Sequence, residues 1–142
     1  DFLAFNVGGF VDKRTAGELP NLLHDEILGA EASLQIKIAD LRLELQGLFQ
    51  RDTPETAGTD SFNSFGAHAQ WSYRIAGFEP AYRFAYYEPN DLSERDVVTE
   101  HTLGISYYPE TIPLRLSLNG TFAGEERKVN NNRIALLVQY TF

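Results

Sequence analysis

The 142-residue sequence contains no cysteine. That removes disulfides, thiolate nucleophiles and Cys-based zinc sites. It also lacks any apolar run near the roughly 18 residues that a membrane helix requires, and its mean hydropathy is slightly polar. Basic residues are few: 12 Lys and Arg against 20 Asp and Glu leave a formal charge of −8. A nucleic-acid partner, which needs a basic face, is excluded on that ground. His24, His68 and His101 show no metal-ligand spacing, and neither a metal nor a cofactor is expected. The acidic groups Asp25-Glu26, Glu94 with Asp96, and Glu125-Glu126 lack the ligand pattern of a calcium loop and are read as solvated loop charge. No charged and apolar leader precedes Asp1, an absence that does not assign the chain to the cytoplasm. By length, residues 1–142 form one domain.

What the chain does have is a period of two. Eight alternating segments are expected at about 2–11, 27–38, 41–51, 62–76, 80–88, 97–108, 114–124 and 133–142. In the seventh, Leu114, Leu116, Leu118, Gly120 and Phe122 alternate with Arg115, Ser117, Asn119, Thr121 and Ala123. In the third, Leu41, Leu43, Leu45, Gly47 and Phe49 oppose Arg42, Glu44, Gln46, Leu48 and Gln50. Only the first segment is ambiguous, since Phe2, Leu3, Phe5, Val7 and Phe10 occupy both faces.

The connections alternate in length. Short turns are expected at Ala39-Asp40, at Gly77-Phe78-Glu79 and from Pro109 to Pro113; longer polar loops run from Lys13 to Glu26, Asp52 to Ser61, Pro89 to Asp96 and Glu125 to Asn132. A helical turn is expected over Ala16–Leu23, limited by Pro20. This spacing predicts an all-β fold, an up-and-down antiparallel transmembrane β-barrel with eight strands in the chain.

Tracing each strand's direction places Phe49, Phe65, Tyr86 and Phe122 near the long-loop rim, and Trp71, Tyr73, Tyr107, Tyr140 and Phe142 near the short-turn rim. Two aromatic girdles around an aliphatic band are what a bilayer selects. The opposite face is expected to line a lumen with Lys37, Arg42, Glu44, His68, Arg74, Arg83, Glu100 and Arg115. Adding Glu31 and Arg133 gives that face six basic and three acidic residues, a net of +3 in an acidic chain. An open positive lumen favours anions; a narrow one is filled by mutually neutralising Arg and Glu.

The run Glu79-Pro80-Ala81-Tyr82-Arg83-Phe84-Ala85-Tyr86-Tyr87-Glu88-Pro89-Asn90-Asp91, the ending Gly104-Ile105-Ser106-Tyr107-Tyr108-Pro109, Leu114 to Phe122 and the terminal strand resemble the C-terminal strands of the phosphate-selective porin O/P family. The resemblance is best over residues 62–142. It implies an anion-conducting pore of about sixteen strands, commonly a trimer, with basic residues at its constriction. The length here allows eight strands, so the chain is either the C-terminal half of such a barrel or a small barrel built from porin-like hairpins. Arg42, Arg74, Arg83 and Arg115 line a channel in the first case and fill the interior in the second.

The expected function is therefore passive diffusion of small anions through an Arg-lined lumen in a bacterial outer membrane. The alternative is a plugged structural barrel acting through its loops or a partner. Expected partners are the bilayer and lipopolysaccharide, the barrel-assembly machinery that reads the terminal Phe142, and further copies of the chain if it is porin-like. Enzymatic activity is not expected, because Ser72 or Ser106 with His68 is the nearest approach to a nucleophile and base, and no third group orients them.

Overall fold

The computed structural model describes residues 1–16, 23–55, 59–93, 96–125 and 131–140. The alternating segments form β1 (Phe2–Ala16), β2 (Leu23–Ile38), β3 (Leu41–Thr53), β4 (Phe62–Tyr73), β5 (Phe78–Glu88), β6 (Val98–Tyr107), β7 (Leu114–Glu125) and β8 (Arg133–Tyr140). They make one sheet in sequence order, each strand antiparallel to the next. The up-and-down order is as expected; closure is not seen. Among the described residues no ladder joins β1 to β8, so the sheet is open and both are edge strands. Each strand packs only on its neighbours in sequence. The face that would turn inward carries the bulk of Phe2, Phe10 and Tyr87, which opposes tight curling around a narrow interior.

Two connections differ from the sequence expectation. The loop placed from Lys13 to Glu26 is largely strand: Lys13 pairs with Glu26 and Ala16 with Leu23. Opposite charges across the ladder support this extension, with Lys13 Nζ 3.1 Å from Glu26 Oε1 and Arg14 Nη2 3.7 Å from Asp25 Oδ2. Ala16 and Leu23 are therefore extended rather than helical, and residues 17–22 lie outside the described residues. The second difference is the β4–β5 turn, which centres on Ala76-Gly77. Both have positive φ, 47° and 81°, and Ile75 and Phe78 exchange backbone hydrogen bonds of 2.8 Å. That is the two-residue hairpin whose twist matches the flanking strands. Phe78 and Glu79, expected in the turn, consequently belong to β5.

The strand ends joined through residues 17–22, 54–61, 89–97 and 126–132 stand at one rim, and those joined through 39–40, 74–77 and 108–113 at the other. The length asymmetry is thus milder than expected, with equal spans at 17–22 and 108–113. Asp1 and Tyr140 both lie at the short-turn rim.

Register resolves the faces of β1. Leu3, Phe5, Val7 and Val11 pair with Ile36, Leu34, Ala32 and Leu28 on the apolar face, while Phe2 and Phe10 pair with Lys37 and Gly29 on the polar one. The Phe10 ring occupies the space that a side chain on Gly29 would take.

Burial is inverted relative to a water-soluble sheet. Among the described residues the one buried hydrophobic is Ile27, at 8% exposure, whereas Asp52, Ser64, Ser72, Glu79, Ser106, Ser117 and Thr121 are all buried. Every one of these lies on the polar face by register. The apolar face is open to its surroundings along its length, from Leu3 at 72% to Ile134 at 84%.

Candidate functional site: the polar face

The two-residue repeat of β2 to β7 brings polar side chains into continuous cross-strand rows. Lys37 pairs with Arg42 and Arg42 with Ser72; Gln35, Glu44, Gln70, Arg83 and Thr102 form the next row. A cavity of about 380 Å³ spans the first rows and is bordered by Lys37, Arg42, Glu44, Ser72, Glu79 and Arg115. A second cavity of about 380 Å³, nearer the long-loop rim, is bordered by His68, Arg83, Tyr87 and Glu100. Seven of the eight expected lumen residues thus share one strand face, in two groups around these cavities; Arg74 follows the end of β4 and borders neither, lying against Tyr108.

Short side chains on β6 and β7 let longer ones lie flat. Ser106 and Ser117 face each other with Oγ atoms 2.8 Å apart, and Arg115 lies across them, donating from Nη2 to Ser106 Oγ and from Nε to Ser117 Oγ, both at 3.1 Å. Tyr108 supports two guanidiniums, with Arg74 Cζ 4.1 Å and Arg115 Cζ 5.5 Å from its ring centre. Arg on an aromatic face gains cation–π attraction. By contrast, Lys37 and Arg42 have no carboxylate partner among the described residues.

The acidic residues sit differently. Glu44 Oε1 lies 3.4 Å from His68 Nε2, and Glu100 lies 3.7 Å from Arg133. At the long-loop end Asp52 accepts from Gln50 at 2.8 Å and lies 3.7 Å from Arg14, which also reaches Asp25. Sequence reasoning missed Glu79. It is 7% exposed, its Oε1 accepts from Ser72 Oγ at 3.1 Å, and its Oε2 is buried without a hydrogen-bond partner. The missed signal was Ala76-Gly77, whose turn chemistry moves Glu79 onto the polar face.

Charge is therefore graded along the face rather than uniformly positive. Among described strand side chains, Lys37, Arg42 and Arg115 stand with Glu44 and Glu79 toward the short-turn rim, with Arg74 just beyond the end of β4. Toward the long-loop rim Asp12, Asp25, Asp52 and Glu100 stand with Arg14 and Arg133. Arg83 and Glu31 lie between. The additional acids come from the extended β1–β2 hairpin, from the end of β3 and from β5; of these, Asp25, Asp52 and Glu79 stand in segments read as loop or turn in the sequence.

The serine and histidine combinations do not converge. Ser72 is bonded to Glu79 and Ser106 to Ser117, while His68 faces Glu44. No three His, Asp or Glu side chains among the described residues are placed to hold a metal ion.

On the apolar face, Phe65, Trp71, Tyr73, Tyr107, Phe122 and Tyr140 are exposed, and Phe49 and Tyr86 are partly so. Phe49 and Phe65 pack with ring centres 5.2 Å apart, and Phe78 joins Tyr107 at 4.8 Å. Tyr82 and His101, also on this face, share a 2.7 Å hydrogen bond. Phe142 lies outside the described residues. No protein-family model, curated protein or solved structure matches the chain. Its functional reading rests on its own residues.

Proposed function

We propose that the chain forms the wall of an outer-membrane β-barrel of porin type, its apolar face against lipid and its polar face along a water-filled path for small anions. The inverted burial carries this reading. Each Leu- or Phe-sized side chain left in water forgoes roughly 1.5–3 kcal/mol of burial, and here an entire sheet face does so. A bilayer recovers that energy, while the polar face keeps its charges hydrated. Unpaired Lys37 and Arg42 supply the preference for anions. The open edges favour a barrel wider than eight strands over the plugged one, which requires β1 to meet β8.

Two measurements test the reading. In detergent the folded protein should migrate differently on gels before and after heating, and should aggregate once detergent is removed. A folded monomer in plain buffer overturns the membrane assignment. In planar bilayers, conductance with an anion-selective reversal potential under a salt gradient is expected, and Arg83→Glu with Arg115→Glu should shift it toward cations. Conductance no greater than background removes the pore.

A further inference from the structure

The cavity at the short-turn end holds charge of both signs, incompletely paired. Lys37 and Arg42 stand side by side without a carboxylate partner among the described residues, and Arg115 places Nε and Nη2 on neutral hydroxyls, leaving Nη1 for the cavity. Between them the buried Glu79 keeps one oxygen bonded to Ser72 and the other, Oε2, without any donor. A carboxylate oxygen removed from water and left unpaired is costly, so the site is complete only when something donates to it. A simple anion satisfies the guanidiniums but faces Glu79 as a like charge. A simple cation satisfies Glu79 but faces three positive side chains. Only a solute bearing both groups answers both deficits.

We propose that this cavity is a binding site for small zwitterions, molecules with a carboxylate and an ammonium on one short carbon skeleton. The ammonium pairs with the Glu79 carboxylate, whose side chain turns to bring the buried Oε2 into the cavity, and the carboxylate accepts from Arg42 and Arg115. A volume of about 380 Å³ admits a solute of amino-acid size. The inference rests on the polar face being water-filled, and it adds to the small anions a narrower class, net-neutral carboxylates that also carry an ammonium group.

Binding to the folded, detergent-solubilised protein is measured by calorimetry with 4-aminobutyrate and β-alanine, against butyrate, propionate, butylammonium and propylammonium as controls of equal length. At least one zwitterion should bind about tenfold or more tightly than its matching anion and cation. Glu79→Gln should abolish that advantage over the anion without weakening the anion itself, and Arg42→Gln should weaken both. If neither zwitterion outbinds its matching anion in the unaltered protein, the proposal fails, whether or not any variant folds. An advantage that survives Glu79→Gln also overturns it. Because the measurement needs no conductance, binding without conductance sinks the pore while leaving the site, and conductance without zwitterion preference does the reverse.

Discussion

Gly77 has little freedom to change. Its φ of 81° lies in the left-handed region, and a Cβ there would meet Tyr108 O at 3.0 Å. Gly77→Ala should cost about 1–2 kcal/mol from backbone strain, with more from displacing the Tyr108 carbonyl. Ala76 shares the left-handed conformation without glycine's licence, so Ala76→Asn should stabilise by about 0.5–1 kcal/mol by restoring the preferred Asn-Gly pair. Urea unfolding in lipid vesicles measures both, and equal midpoints for the two variants would contradict the turn assignment. At the long-loop rim, Asp91 accepts from Asn63 N at 2.8 Å and from Asn63 Nδ2 at 2.7 Å, tying the β5–β6 loop to β4. These bonds, the backbone one foremost, hold the Asp91 carboxyl below its ordinary pKa. A depressed carboxylate stabilises the fold above its unfolded pKa and loses that contribution as pH falls through the folded value. The clip should therefore open only below about pH 4. Hydrogen exchange at the Asn63 amide should accelerate there beyond the intrinsic pH trend, and Asp91→Asn should abolish the transition.

For the strands, face assignment is the testable property. Leu45 pairs with Leu34 and Ala69 on the exposed apolar face, and Gln46 pairs with Ser33 and His68 on the polar face. If the apolar face meets lipid, Leu45→Arg should cost about 2–4 kcal/mol in a bilayer, while Gln46→Arg should cost little. Similar costs at these adjacent positions would show that the two faces do not have different solvents. Alternation in β7 and over most of β3 made their faces legible in the sequence, because apolar and polar side chains trade places there only at Leu48 and at the end of β3, Arg51 and Thr53. In β1 large apolar side chains stand on both faces, and register against β2 was needed to show that Phe5 lies on the apolar face and Phe10 on the polar one. Glu79 was missed for another reason: its element is decided by a positive φ two residues earlier, at an Ala76-Gly77 pair that hydrophobic alternation alone does not single out as the turn.

The molecule as a whole is an open sheet with two long unpaired edges, a form that soluble proteins protect against. The absence of native cysteine makes closure directly testable. A cysteine at Asn6 combined in turn with one at Arg133, Ala135, Leu137 or Gln139, all on the polar faces of the two edges, should give no intramolecular disulfide in the membrane-inserted protein. A bond at any of these registers would show an eight-stranded closure and remove the wider barrel. By itself the sequence determined the number of strands, their order and which side chains share a face, because a two-residue period and short connections are local properties that leave little choice of neighbour. Three things needed the tertiary structure: the inversion of burial, the meeting of Glu79 with Arg42 and Arg115 in one cavity, and the gap between β1 and β8. Burial, convergence and closure depend on how the whole sheet curves, and curvature accumulates over all eight strands rather than residing in any one of them.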